Sequence, residues 1–353
     1  MRSWRFIWKT RPRCRLLRRP RQRQPGKGAI NRILLISARQ EKVETGKVVR
    51  LDSTVTAALM HEPSDSSLLW DAVHVLVRLL KTADAVVGGL EWRNHRRAAK
   101  KRARAIEYAR DRLKRIRHYR ELIALARSTL AYADLAAAQL WRAADPMAAA
   151  LWQAEFRRYR PLIERIIAQT ERRVLHGEAV AANEKIVSLF EPHADIIVKG
   201  GRQVQYGHKL NLATGKSGLV LDVVIEAGNP ADAERFLPML DRHIARTGAP
   251  PRQTAADGGY ASRANLATAK HRGVADVAFH KKCGIAVADM VKSPGVYRRL
   301  RNFRAGIEAV VSWLKRAYGG GRCTWRGLEH FKAYVWSAVV AHNLVLFARL
   351  KRA

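Results

Sequence analysis

The most constraining feature of the sequence is an alternation of strand-like and helix-like segments, three of which carry the acidic residues Asp52, Asp257 and Glu308. The segment KVVRLDSTVTAAL is rich in β-branched residues, as strands are, and contains Asp52. A later short segment, PRQTAAD, ends at Asp257, and a helix-like segment near the end of the chain carries Glu308. A hairpin pattern around TGKSG and further helix-like segments lie between them. This alternation predicts an α/β fold in which helices flank a mixed sheet.

The third acidic residue belongs to an amphipathic helix predicted at residues 301–315. On a helix that advances about 100° per residue, Arg304, Glu308 and Lys315 lie within about 60° of one another. Four apolar residues occupy the neighbouring face: Phe303, Ile307, Val310 and Leu314. The simplest interpretation is a surface helix with an i,i+4 ion pair, whereas the two upstream aspartates favour a carboxylate site.

Residues 66–178 have a helical pattern and are strongly basic. Between Trp92 and Ser128 there are fourteen Lys and Arg residues and only three acidic residues. An apolar stripe runs through the segment. We expect one long amphipathic helix here. Charged runs are usually solvated faces, but so large an excess of positive charge repels itself unless an anion compensates it. Contact with the DNA backbone is therefore predicted. Three candidate phosphate ligands are Lys100, Lys101 and Arg104.

The whole chain is basic, with 66 Lys and Arg against 30 Asp and Glu and a formal net charge of +36. The direct consequence is attraction to a polyanion, for which nucleic acid is the first candidate. An anionic membrane is the second candidate. However, Ser337, His342 and Asn343 interrupt the longest apolar run, residues 334–347, and spanning needs about 20 apolar residues. We therefore expect a buried helix there and no membrane partner.

The cysteines and the N-terminus predict a cytoplasmic protein, associated with the nucleoid if DNA is its partner. Cys14, Cys283 and Cys323 show no C-x-x-C spacing, so neither a thiolate zinc site nor a disulfide framework is supported. Arginines occupy the N-terminal positions where a signal peptide would be apolar.

Three short motifs, in this order, resemble those of the DDE transposases of bacterial insertion sequences. LDST at residues 51–54 resembles the first motif, ADGGY at 256–260 the second, and RAGIE at 304–308 with Lys315 the third. The third matches the family's R-x3-E-x6-K signature, although Arg301 stands where a tyrosine is often found. This departure favours the loosely classified ISNCY group. The resemblance covers nearly the whole chain after its Arg-rich beginning.

The resemblance implies a ribonuclease-H-like catalytic domain with a large all-helical insertion after the first strand. It assigns catalysis and metal binding to Asp52, Asp257 and Glu308, with Mg²⁺ or Mn²⁺ as the cofactor. Two divalent ions held by carboxylates activate the attacking oxygen and stabilise the leaving oxygen of a phosphodiester, and magnesium prefers oxygen ligands. The expected partners are insertion-sequence ends and target DNA, bound by a homodimer or a higher oligomer. Four further candidate phosphate ligands are Arg304, Lys315, Lys281 and Lys282.

The chain divides into four predicted parts. Residues 1–28 are dense in Arg and aperiodic, as expected either of a disordered basic arm or of GC-rich DNA translated out of frame. Residues 29–65 begin the catalytic domain, residues 66–185 form the basic helical insertion, and residues 186–353 complete the catalytic domain. No folded DNA-recognition domain of about 50 residues or more fits before the first strand, so we expect an N-terminally truncated transposase.

Two functions of other classes stay open. One is a noncatalytic DNA-binding protein derived from a transposase, and the other is a basic helical protein of a ribonucleoprotein. Competing site residues are also present in the hairpin, but alternation predicts that Asp222 and Glu226 point outward. His208, His280 and His330 are expected at surface or capping positions rather than as ligands.

Overall fold

The structure, a computed structural model, describes residues 27–199, 203–280 and 283–352. The predictions for residues 1–26, Lys281 and Lys282 therefore lie outside the described residues. The strands in the described ranges are β1 (Val48–Ala57), β2 (Asp195–Lys199), β3 (Gln203–Gly215), β4 (Val220–Ile225), β5 (Gln253–Ala256) and β6 (Asp276–Phe279). The α-helices are α1 (Lys27–Gln40), α2 (Asp65–Val87), α3 (Arg96–Tyr108), α4 (Arg112–Ala138), α5 (Pro146–Thr170), α6 (Asp232–Thr247), α7 (Arg263–His271), α8 (Val287–Met290), α9 (Pro294–Arg316) and α10 (Leu328–Leu350).

The six strands form one mixed sheet with β1 near its centre. β1 runs antiparallel to β3 on one side and parallel to β5 on the other, and β6 continues in parallel beyond β5. β3 is long enough to pair on its other edge with β2 near its start and with β4 further along. The predicted α/β class with a mixed sheet is confirmed.

Helices cover both faces of this sheet. Alternation along β1 sends successive side chains to opposite faces. Leu51 packs in an apolar cluster with Phe236 of α6, whereas Leu212 of β3 packs on the other face with Ile307 of α9. Asp52 follows Leu51 and therefore lies on the face that α9 covers.

Helices α2 to α5 lie between β1 and β2 in the chain and have an apolar cluster of their own. Leu76 of α2, Leu122 of α4 and Ile163 of α5 are fully buried in it. Most of the basic side chains of α3 stay outside, because only Ala99 and Ile106 of that helix are buried. The basic residues of this region are thus carried on a folded helical body.

The expectation of one helix from Trp92 to Ser128 is wrong. α3 ends at Tyr108, and α4 begins at Arg112. Asp111 lies between them as the N-cap of α4, and its carboxylate accepts hydrogen bonds from the backbone amides of residues 113 and 114. Such a cap stabilises a new helix start, so the basic stripe is divided between two helices.

Residues 186–193, which have a β-rich composition, contain no strand. Ile186 and Leu189 are instead buried against the helical cluster, and the next strand begins at Asp195. A short apolar run indicates burial, but its periodicity alone does not identify a strand.

Among the described residues, α10 is the one helix that is long and apolar enough to cross a membrane, by length and composition alone. Only 28% of its apolar window is buried, so the prediction of a buried helix holds for one face. On that face Asn343 accepts a hydrogen bond from Val220 N and donates one to Val220 O, both at 2.8 Å. It also donates to Asn31 Oδ1 of α1 at 2.7 Å. These polar contacts attach α10 to the sheet.

Candidate active site

The sheet places two of the predicted catalytic residues side by side. In the parallel pairing of β1 with β5, Leu51 lies opposite Ala256, and Asp52 and Asp257 are the next residues of their strands. β5 ends there, whereas β1 continues because β3 still pairs with its other edge. Neighbouring strands lie about 4.8 Å apart, so the two aspartates lie next to each other where β5 ends.

Helix α9 places an arginine and the third carboxylate over this pair. Ser293 begins the helix, since its hydroxyl accepts a hydrogen bond from the amide of residue 296. Ile307 is fully buried against the sheet. Arg304 and Glu308 are one turn apart and therefore lie on the same edge of the helix.

A close approach of α9 to β1 fixes this placement. Arg50 donates from Nη1 to the carbonyl oxygen of Phe303 (2.6 Å) and from Nε to Thr214 Oγ1 (2.8 Å). A Cβ atom at Gly306 would overlap with Arg50 Nη1, so any other residue there would displace this guanidinium from its hydrogen bonds. Burial lowers the pKa of the Arg50 guanidinium. The sequence interpretation missed both residues, although a glycine inside a helix is itself a signal of close packing.

All three carboxylates contact the guanidinium of Arg304. Nη2 lies 3.1 Å from Asp52 Oδ2 and 3.4 Å from Asp257 Oδ1, and Nη1 lies 2.9 Å from Glu308 Oε1. The structure thus brings together three acidic residues that are 205 (257 − 52) and 51 (308 − 257) positions apart in the sequence. Their catalytic role stays a prediction.

The cluster is closed at one end and open at the other. The side chains of Asp52 and Arg304 are 13% and 11% exposed, whereas those of Asp257 and Glu308 are 39% and 67% exposed. In the contacts of the described residues, three carboxylates meet one guanidinium. Buried charge is costly unless it is paired or bound to a metal, and an excess of carboxylate of this kind attracts cations.

The donor set fits a hard divalent cation, because Mg²⁺ and Mn²⁺ prefer carboxylate oxygens. Within residues 27–199, 203–280 and 283–352, no three His, Cys, Asp or Glu side chains are arranged to hold a metal ion. In the candidate site the Arg304 guanidinium lies between the carboxylates, and its Nε is buried without a hydrogen-bond partner in the described part of the chain. Metal ligation by all three carboxylates would require this side chain to move aside.

Asp222, expected to point outward, is 2% exposed. Its carboxylate forms ion pairs with Arg242 Nε and Arg246 Nη1 of α6, both at 2.6 Å. The expectation fails because α6 covers this face of β4, where Val224, two residues further on, packs in the cluster that contains Phe236 of α6. Asp222 is therefore a structural ion-pair residue.

Glu226, also expected to point outward, is buried in a network behind the site. It accepts a hydrogen bond from Asn211 Nδ2 (2.8 Å) and pairs with Arg235 Nε (3.2 Å). Asn211 Oδ1 in turn accepts from the hydroxyl of Tyr260 (2.6 Å). Burial raises the pKa of Tyr260 well above its ordinary value, with nearby carboxylates adding to the effect. The network anchors the turn that follows Asp257.

His208 is likewise buried rather than at the surface. Its Nε2 lies 2.8 Å from His193 Nδ1, and its Nδ1 lies 3.1 Å from the carbonyl oxygen of Glu226 and 3.2 Å from Asp195 Oδ2. His193 Nε2 contacts Glu191 Oε2 at 2.7 Å. This chain of contacts ties the segment before β2 to β3.

The predicted phosphate ligands lie along two open grooves. Lys315 of α9 lines a groove of about 470 Å³ together with Arg322. Lys100 and Arg104 of α3 line a second groove of about 650 Å³, and Lys101 is exposed on the same helix. Glu62 lines both grooves, so they are neighbours.

A family model described as a transposase DDE domain matches residues 192–344. The match contains Asp257, Arg304 and Glu308 and supports the family resemblance of that part of the chain. Asp52 lies outside it, before the helical insertion. No curated protein and no solved structure matches the chain.

Proposed function

We propose that this chain is a DDE transposase of a bacterial insertion sequence, of an ISNCY-like group. It would hydrolyse phosphodiesters at the ends of its element and transfer the freed strands to target DNA. The observation that carries this proposal is the convergence of Asp52, Asp257 and Glu308 on one guanidinium. The transposase DDE domain matched at residues 192–344 supports the same chemistry.

The order of the strands and helices along the chain supports a ribonuclease-H-like catalytic domain. The resemblance implies a first Asp on the first strand, a second at the end of the fourth and a Glu on a later helix. When the short strand β2 is set aside, β5 is the fourth strand along the chain, and Asp257 follows it directly. Glu308 lies on α9, after β6, and the helical insertion follows β1.

The site residues would have two roles, metal binding and phosphate binding. Asp52, Asp257 and Glu308 would hold the divalent ions, which activate the attacking oxygen and stabilise the leaving oxygen when they are bound. A phosphate would enter from the exposed side, where Glu308 lies. Arg304 and Lys315, on the same helix, would then bind its non-bridging oxygens through charge-assisted hydrogen bonds.

The grooves beside Lys315 and beside α3 would together follow one DNA backbone. Changing Lys100, Lys101 and Arg104 to alanine should weaken DNA binding and reduce the dependence of log K on log salt by about 0.9 for each phosphate that is no longer neutralised. A control of equal charge is the triple alanine variant of Lys81, Arg157 and Arg158, exposed residues of α2 and α5. Equal salt slopes for the two triple variants would contradict this DNA path. We further propose that a homodimer or higher oligomer assembles on DNA at the cytoplasmic nucleoid.

The enzymatic proposal is tested by cleavage of DNA that carries the ends of the element. The protein should nick this DNA in Mg²⁺, and Asp52→Asn or Glu308→Gln should lower the rate at least about 100-fold, since even outer partners of metal ligands cost 10–100-fold. Glu329→Gln, an exposed substitution on α10, is the control. Normal cleavage by the Asp52 variant would remove it from the site and leave only residues inside the family match.

A noncatalytic DNA-binding protein derived from such an enzyme is the second candidate. The Arg304 guanidinium between the carboxylates favours it, because an ion-paired cluster of this kind is stable without a metal. In that case Mg²⁺ would support no cleavage, and Asp257→Asn would bind DNA as the unchanged protein does.

A further inference from the structure

We propose that Arg304 is an internal counter-ion that competes with divalent cations for the three carboxylates and closes the site in the metal-free protein. This inference rests on the proposed metal-dependent function. Its basis is that one guanidinium contacts Asp52, Asp257 and Glu308 at 2.9–3.4 Å. A cation held by the same oxygens would need the place that these N–H groups occupy.

The counter-ion keeps the empty site assembled. Three carboxylates that converge without a cation repel one another. Among the described residues, Arg304 supplies a positive charge that contacts all three. Solvent screens its contact with Asp52 weakly, because these two side chains are 11% and 13% exposed, whereas its contacts with the more exposed Asp257 and Glu308 are screened more strongly. The metal-free arrangement is therefore a stable state rather than a vacant cage.

The same geometry lets the side chain leave while the helix stays. Arg50 holds the carbonyl oxygen of Phe303, the residue before Arg304, at 2.6 Å, so the backbone is fixed to β1. Arg304 Nε is buried without a hydrogen-bond partner among the described residues, which makes the closed state incompletely satisfied. The exposed Glu308 side offers the guanidinium a path towards solvent or an arriving phosphate.

The competition is measured by titrating the DNA-free protein with Mn²⁺ and following the free ion by electron paramagnetic resonance. Arg304→Gln should bind Mn²⁺ at least about tenfold more tightly than the unchanged protein, because a competing charge within about 4 Å is gone. The matched control is Arg298→Gln, which removes the same charge from an exposed position of α9 and should alter the Kd less than about twofold. Metal-free Arg304→Gln should also have a lower Tm, restored by Mn²⁺.

The outcomes separate this inference from the proposed function. Asp257→Asn should abolish Mn²⁺ binding in either background, and its failure to do so would reject the metal site itself. If Asp257→Asn abolishes binding while Arg304→Gln binds Mn²⁺ equally or more weakly, only the counter-ion is rejected. Arg304→Lys keeps the charge but cannot reach three carboxylates with a planar fork, so an intermediate Kd is expected. This variant maintains the test if the glutamine variant does not fold.

Discussion

Two clusters of ion-paired side chains lie on opposite faces of the same sheet, and they differ in the ratio of carboxylates to arginines. Three carboxylates share Arg304 at the candidate site, whereas the single carboxylate of Asp222 is shared by Arg242 and Arg246. In the contacts of the described residues, carboxylates outnumber arginines in the first cluster, which opens to solvent, and arginines outnumber the buried carboxylate in the second. An excess of carboxylate together with access for a ligand, rather than burial of an aspartate, is therefore what we expect of a cation site.

The largest expected effect tests the site cluster by neutralising one of its carboxylates. Asp257→Asn should lower Mg²⁺-dependent DNA cleavage at least about 100-fold, because it removes a proposed metal ligand. The metal-free protein should keep its free energy of unfolding within about 0.5 kcal/mol, since the cluster loses repulsion as well as an ion pair. Cleavage assays and urea unfolding measure the two quantities. A large loss of stability would show that Asp257 is structural.

The same change in the second cluster should have the opposite profile. Asp222→Asn leaves two arginines without their buried partner and should reduce the free energy of unfolding by about 1–3 kcal/mol. The loss stays below that of a fully buried pair because the Arg242 and Arg246 side chains are 44% and 29% exposed. Cleavage by the folded variant should change less than about tenfold. If cleavage is lost without loss of stability, Asp222 belongs to the catalytic group.

A third test perturbs the packing of α9, the helix that covers the face with the candidate site. Gly306→Ala forces the end of the Arg50 side chain to move. The overpacking penalty of about 1–3 kcal/mol is offset by about 1 kcal/mol of helix propensity, so we expect a net loss of at most about 2 kcal/mol in the free energy of unfolding, together with slower cleavage because Glu308 lies on the same helix. The control is Gly295→Ala on the same helix, where an added Cβ meets only Ser293 Oγ at 3.9 Å. This control should be neutral or slightly stabilising. Equal stability of the two variants would show that α9 can move away from β1 freely.

The sequence predicted the parts of the site that local patterns specify. Its β-branched composition predicted the strand that carries Asp52, a short strand was predicted to end at Asp257, and helical spacing placed Arg304 and Glu308 on one edge. The strand carrying Asp52 is β1, and the α/β class is confirmed. Each of these features depends on residues within about one or two turns of the chain.

Long-range contacts account for what was missed. Arg50 and the carbonyl of Phe303 are 253 residues apart, and no spacing within one segment connects them. The burial of Asp222 depends on α6, which covers its face of β4, and alternation within one strand does not show which face a helix will cover. The break at Asp111 was within reach, because Asp followed by a helical pattern is a capping signal.

A third buried carboxylate, in the helical region between β1 and β2, extends the comparison. Its neighbour is a histidine rather than an arginine. Asp71 of α2 is 9% exposed, and its Oδ2 lies 3.5 Å from His61 Nε2. This oxygen has no hydrogen-bond partner among the described residues. Burial raises the pKa of Asp71 to about 6, and His61 opposes the shift only in part.

The smallest expected effect follows from this raised pKa. Asp71 binds a proton more tightly in the folded state than in the unfolded state. The stabilisation of the folded state by this protonation is therefore fully present below about pH 4 and is lost as pH rises through about 6. Asp71→Asn, which removes the charge, should therefore stabilise the protein by about 1–2 kcal/mol at pH 7 and have little effect near pH 4. Urea unfolding across this range measures the difference, with the exposed Asp289→Asn of α8 as the control. A less stable asparagine variant at pH 7 would mean that the contact with His61 outweighs burial, and Asp71 would then resemble Asp222 rather than an uncompensated carboxylate.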